Sequence, residues 1–206
     1  SFVAGNTAGS LAFLGKRVIV VGMDIRKPGL NRVFNISRKM EGITNYLSDP
    51  DHVDLFSMIQ KSDISDNLDI LPGGQIPPNP TELVARDVLD KTIALLKDHY
   101  DYIILDTAPI GMVTDTAIIG RVADMCVYVC RADVTPKTGF SYINVLQREH
   151  KFSKLATVIN GLDMSKRKNN YGYGFGKKYG YGKGYGYGYG YGYGYSCGFE
   201  SVDKKK

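Results

Sequence analysis

Residues Arg17 to Leu30 read RVIVVGMDIRKPGL. Val18, Ile19, Val20 and Val21 form a short β-branched apolar run, the length of a strand buried on both faces. The run breaks at Gly22, presents Asp24, Arg26 and Lys27, and is turned by Pro28-Gly29. Open α/β sheets bind ligands at the carboxyl ends of buried parallel strands, which is where this charged loop falls. Taken alone, the stretch also reads as a buried strand followed by a solvated loop. A second segment, Asp101 to Asp115 (DYIILDTAPIGMVTD), repeats the pattern: the apolar run Tyr102 to Leu105 ends in an acid, Asp106. Two strand-end carboxylates in one chain point to a divided metal site.

Working outward, strands alternate with helical patterns, which predicts a doubly wound, mostly parallel α/β sheet. Phe2 to Leu14 is a helix with small residues Gly5, Ala8, Gly9 and Ala12 at repeating positions, ended at Gly15-Lys16. Short helices are expected around Asp49-Pro50, from Gly42 to Leu47 and from Val53 to Ile59. Leu68 to Leu71 is a strand stopped by Pro72-Gly73-Gly74. In PPNPTEL (Pro77 to Leu83), Asn79 is the expected N-cap, Pro80 the first helical residue and Glu82 the third, a capping-box arrangement for a helix reaching about Lys97. Then come a helix at Asp115 to Val122, a strand at Met125 to Val129, a helix at Lys137 to Lys151 and a strand at Leu155 to Ile159. That makes five strands, and a helix opening the chain implies one more strand ahead of it.

The 206 residues carry a net charge of +5, which averages two unlike parts. From Ser165 onward nine lysines and arginines face Glu200 and Asp203, a net +7; residues 1–164 hold 17 basic and 19 acidic residues, a net −2. The expected division is a folded domain over residues 1–164 and a disordered basic tail over 165–206. Ten of the fifteen tyrosines lie between Tyr171 and Tyr195, nearly alternating with glycine. With no aliphatic residue this segment cannot bury a core. Its composition alone is compatible with a linker, a self-associating segment or a nucleic-acid tail. Cys126, Cys130 and Cys197 have no metal-type spacing, and the first two read as core thiols in a reducing compartment. His52, His99 and His150 make no site. No apolar run reaches the roughly 20 residues of a membrane span.

Together these motifs resemble the bacterial tyrosine kinases of capsule and exopolysaccharide export. SFVAGN (Ser1 to Asn6) resembles the segment directly after the lysine of a P-loop, Val18 to Lys27 the Walker A prime motif, IILDTAP (Ile103 to Pro109) the Walker B motif, and Pro77 to Leu83 the PxNPxEL segment. The tyrosine cluster resembles their substrate region. MinD/ParA-like ATPases share the sheet but lack such a tail.

The resemblance implies a P-loop NTPase fold and an ATP- and Mg²⁺-dependent protein-tyrosine kinase. Ser1, Asp24 and Asp106 would hold the metal, and Asp24, Asp106 and Arg26 would serve catalysis. Ser1 and Asn160 would contact nucleotide, Asn160 near the adenine. The acceptors would be Tyr171, Tyr173, Tyr179, Tyr181, Tyr185, Tyr187, Tyr189, Tyr191, Tyr193 and Tyr195. Family enzymes place two aspartates on the Walker A prime loop; here the first position is Gly22, so Asp24 serves alone or with another acid. Asp115 is a candidate helper, or simply the N-cap of the following helix.

The resemblance further implies a homo-oligomeric ring phosphorylated in trans, with the export machinery and a tyrosine phosphatase as partners and no nucleic acid. The place would be the cytoplasmic side of the bacterial inner membrane. A Gly-rich loop ending in Gly-Lys is expected just before Ser1. The alternatives are an ATPase without kinase activity, or an impaired fragment with a self-associating tail.

Overall fold

The computed structural model describes residues 1–163 apart from Arg38 and Met112. The tail, including all ten candidate acceptor tyrosines, lies outside the described residues.

Strand β1 (Val18–Gly22) is buried along its whole length, as its unbroken apolar run requires. It pairs in parallel with β3 (Ser65–Leu71) on one side and β4 (Tyr102–Asp106) on the other. A short β2 (Gln60–Ser62) adds an antiparallel edge to β3, giving the order β2-β3-β1-β4. The strands β5 (Cys126–Arg131) and β6 (Leu155–Asn160) pair in parallel as a separate two-stranded sheet. The α/β, parallel-rich fold class therefore stands. It has six strands among the described residues, in two sheets. The unexpected β2 is a short polar edge strand with no apolar alternation to betray it.

The two faces of β1 carry two cores. Val18 and Val20 pack with Ala8 and Ala12 of α1 (Phe2–Phe13), with Leu68 and Ile70 of β3, and with Leu30 of α2 (Leu30–Val33). Glycine and alanine on α1 let the helix lie close to the sheet. Gly15, at φ 76°, ends it, and the amides of Gly15 and Lys16 return to Ala12 and Leu11. Ile19 and Val21 face the larger core, with Ile43 and Leu47 of α3 (Ile43–Ser48) and Leu83 of α4 (Pro80–Ala85). Leu89, Ile93 and Leu96 of α5 (Val88–His99) complete that layer.

The helix expected from Pro80 to about Lys97 is thus two helices. Arg86 turns extended between them (φ −69°, ψ 149°), its guanidinium donating to the Leu47 carbonyl and its own carbonyl accepting from Arg121. Asn79 is the N-cap, but its side-chain amide donates to the Glu82 carboxylate, not in a capping-box exchange with the backbone. The helix expected at Val53 to Ile59 is only a 3-10 turn, Phe56–Met58. Further on, α6 (Asp115–Ile119) continues as a 3-10 turn to Val122, and α7 (Lys137–Arg148) lies between β5 and β6 in the chain. Ser1–Leu162 form one compact unit.

Candidate functional site

The carboxyl ends of β1, β3 and β4 lie side by side, so the loops that leave them meet. Gly22 is in register with Asp106. Beyond it the chain keeps the strand's alternation: Met23 and Ile25 are 1% and 2% exposed in the larger core, while Asp24 is half-buried and Arg26 exposed. The amides of Met23 and Asp24 both donate to the Asp106 carbonyl at 2.8 Å, holding Asp24 beside the end of β4. One oxygen of Asp24 accepts the Lys27 amide at 3.0 Å, which shapes the turn.

Asp106 is itself buried. Its Oδ2 accepts the Ser1 hydroxyl at 2.6 Å, and its Oδ1 lies 2.9 Å from the main-chain nitrogen of Ser1. Gly29 leaves the room this hydroxyl needs, since a Cβ on Gly29 would sit 2.6 Å from Ser1 Oγ. The Ser1 hydroxyl and the Asp106 carboxylate, separate in sequence, are thereby one pair of oxygen donors, and the main chain of Asp24 is tied to the same strand end. Magnesium takes oxygen ligands and keeps several waters, so a hydroxyl with one or two carboxylates suits it. The residues present fit that ion. No group of three or more His, Cys, Asp or Glu among the described residues offers a fuller metal cage.

Gly22 stands where the first aspartate was expected, and its surroundings give a physical reason. A Cβ there would lie 2.8 Å from the Gly73 amide nitrogen and 3.3 Å from its Cα. The loop after β3 fills the space an acidic side chain would need. In the sequence that loop reads only as a strand stop; the glycine pair at 73 and 74 is the available signal.

Arg26 meets a different set of groups. Its Nε donates to Asp115 Oδ2 at 2.6 Å, and its Nη2 to Asp115 Oδ1 at 3.2 Å and to Thr81 Oγ1 at 2.9 Å. Thr81 in turn donates to Asp115 Oδ1 at 2.7 Å. Asp115 is 3% exposed. The Arg26 hydrogen bond holds its carboxyl below the usual range; burial opposes this and the Thr81 bond adds to it. Asp115 is the first residue of α6, whose N-cap is Thr114, so the N-cap expectation is corrected. Thr81 escaped the sequence reading because a threonine in a helix's first turn carries no chemical signature of its own.

Asn160 ends β6, on the other sheet, where its carbonyl accepts the Ala132 amide at 2.8 Å. Cys130 is buried, and partial burial pushes the Cys126 thiol up, away from thiolate chemistry.

Residues 2–155 match the family model described as an AAA domain. CapB of Staphylococcus aureus is 29% identical over 173 residues, 84% of this chain and 74% of that protein. The tyrosine-protein kinase CpsD of Streptococcus agalactiae is 36% identical over 104 residues, 50% of this chain and 44% of that protein. Among solved structures, the kinase domain of the Escherichia coli tyrosine kinase ETK superposes with a TM-score of 0.71 at 27% identity, covering 90% of this chain and 66% of that one. The chain thus spans under half of CpsD and about three quarters of CapB. By its matched family model, its kinase relatives and its fold, the chain belongs to the AAA-domain family and, within it, to the bacterial protein-tyrosine kinases.

Proposed function

We propose that this chain carries the catalytic site of an ATP-dependent tyrosine kinase that phosphorylates the tyrosines of its own tail. The observation that carries the reading is the convergence of Ser1, Asp24 and Asp106 at the carboxyl ends of β1 and β4, in a chain that also holds ten clustered tyrosines. Phosphoryl transfer depends mostly on positioning and charge stabilisation, and this group is built for both. Magnesium bound there would offset charge on the phosphates. Ser1 would supply a neutral hydroxyl, Asp106 a buried carboxylate and Asp24 a second carboxylate, directly or through water, as ligands. Asp24 is the one acid on its loop and has one oxygen free of the Lys27 turn. A tyrosine hydroxyl, with an ordinary pKa of about 10, needs a base as it attacks, and Asp24 takes that proton. With Asp115 held by Arg26 and Thr81, Asp24 does this alone. Asn160 is the candidate contact for the nucleotide base.

The same reading gives transfer between copies in a ring, with the tyrosine-rich segment of one copy as the substrate of its neighbour's site. Its cellular setting would be polysaccharide export at the cytoplasmic face of the inner membrane, with the export machinery and a tyrosine phosphatase as partners. The names of the relatives support the kinase reading. Among the described residues no helix is long and apolar enough to cross a membrane, so attachment would run through another segment or partner.

The test is mass spectrometry of the full-length protein incubated with ATP and Mg²⁺. Phosphate on the residues from Tyr171 to Tyr195 supports the reading. ATP hydrolysis with an unmodified tail would replace it with a non-kinase ATPase.

A further inference from the structure

The segment after β1 is fastened at two points to the chain that leaves β4. Upstream, the Met23 and Asp24 amides hold the carbonyl of Asp106. Downstream, Arg26 grips the carboxylate of Asp115, nine residues further along that same chain. Between the two fastenings stands Asp24, with Met23 and Ile25 plugged into the core on either side of it. The result is a closed circuit: Asp106 leads to Asp115 by the backbone, Asp115 to Arg26 by a two-point ion pair, and Arg26 to Asp24 and back to Asp106. Thr81 joins α4 to the same point through both Arg26 and Asp115.

The chemistry of the pair suits a fixed joint. A planar guanidinium meeting a carboxylate through two nitrogens constrains direction as well as distance, which an ammonium does not. Asp115 is buried and so depends on its partners to remain charged. Asp115 has both oxygens engaged, and Arg26 presents two of its nitrogens, Nε and Nη2, to the tie.

We propose that Arg26, Thr81 and Asp115 form a positioning clamp that sets Asp24 relative to Asp106. Arg26 acts through Asp115, and Asp115 acts as an anchor and not as a proton acceptor. The assignment of a role in activity rests on the kinase reading above; the clamp itself does not.

The experiment uses the full-length protein and the variants Arg26→Gln, Arg26→Lys, Asp115→Asn, Thr81→Val and the double variant Arg26→Gln/Asp115→Asn. Hydrogen exchange of residues 23–27 and of α6, without nucleotide, reads the clamp directly. Breaking either end should speed exchange in both segments together, and the double variant should go no further than the worse single one. Arg26→Lys should restore only part of the protection, and Thr81→Val should give a smaller change in the same places. Exchange that rises in one segment alone, or in neither, overturns the clamp. Should the charge variants not fold, the milder Thr81→Val decides by the same criterion.

The second readout is tail phosphorylation against Mg²⁺ concentration. Loss of a residue that orients a metal ligand costs about 10–100-fold in metal affinity or activity. Arg26→Gln and Asp115→Asn should each raise the Mg²⁺ needed for half-maximal rate to that extent, non-additively. Activity lost in Arg26→Gln but kept in Asp115→Asn would mean that Arg26 touches substrate itself, and overturns the proposal. A wild-type protein with no kinase activity would defeat the kinase reading, while hydrogen exchange would still decide the clamp.

Discussion

The hydroxyl of Ser1 donates a 2.6 Å hydrogen bond to Oδ2 of Asp106, joining the residue before α1 to the end of β4. The two are 105 positions apart in sequence. The bond turns a surface serine and a buried acid into one pair of oxygen donors, with Asp24 held next to them by the Asp106 carbonyl.

Asp106→Asn and Asp24→Asn test those oxygens. Each substitution preserves side-chain size but removes a charge. We expect the fold to persist by circular dichroism and tail phosphorylation to fall about 100- to 1000-fold, the scale of losing one well-placed electrostatic group. Near-normal turnover of either variant at saturating Mg²⁺ would end that residue's role.

Gly22→Asp supplies the acid that was expected at this position and should harm this protein. The new Cβ would meet Gly73 backbone at 2.8 Å, so the loop after β3 must move. Overpacking of this kind costs about 1–3 kcal/mol. Urea unfolding should show that loss, with no gain in kinase rate. A variant as stable as the parent and more active would show that Gly73 yields freely.

The pair formed by Arg26 and Asp115 predicts a particular acid response. The Asp115 carboxyl is held lower in the folded protein than its unfolded value of about 3.9. Such a group contributes stability above the unfolded pKa, and that contribution fades as pH falls through the folded one. Asp115→Asn should therefore be less stable than the parent at pH 7, with a gap that narrows below about pH 4. Urea midpoints between pH 7 and pH 3 check this, and a gap independent of pH would refute it.

The tail makes a charge prediction. It carries a net +7 from Ser165 onward against −2 for residues 1–164. Each phosphotyrosine adds about −1.5 to −2, so about four would cancel the tail's charge. If copies assemble through attraction between tail and body, a ring should shift toward monomers near that number. Native mass spectrometry during autophosphorylation reports phosphate count and assembly size together. Rings surviving six or more phosphates per chain at physiological salt would rule the switch out, as would rings that open after one.

What the residues alone determined was local or periodic. The unbroken β-branched run from Val18 to Val21 read as a strand buried on both faces, and β1 is wholly buried. Strand-end acids followed by turn residues placed Asp24 and Asp106 after the carboxyl ends of parallel strands, and the Asp24 amide meets the Asp106 carbonyl there. Small residues at helical spacing announced the close packing of α1. Tertiary structure decided whatever depends on a partner far along the chain. Arg86 lies in a sequence that reads as continuous helix, yet contacts with Leu47 and Arg121 hold it extended and divide α4 from α5. Gly22 reads as a lost aspartate until Gly73 is seen against it. Asp115 reads equally well as a base or a cap; only the approach of Arg26 and Thr81, 89 and 34 positions away, makes it an anchor. The reason is physical: a local pattern states what a segment prefers, whereas a buried carboxylate answers to whichever donors the fold delivers, and those donors are distant in sequence.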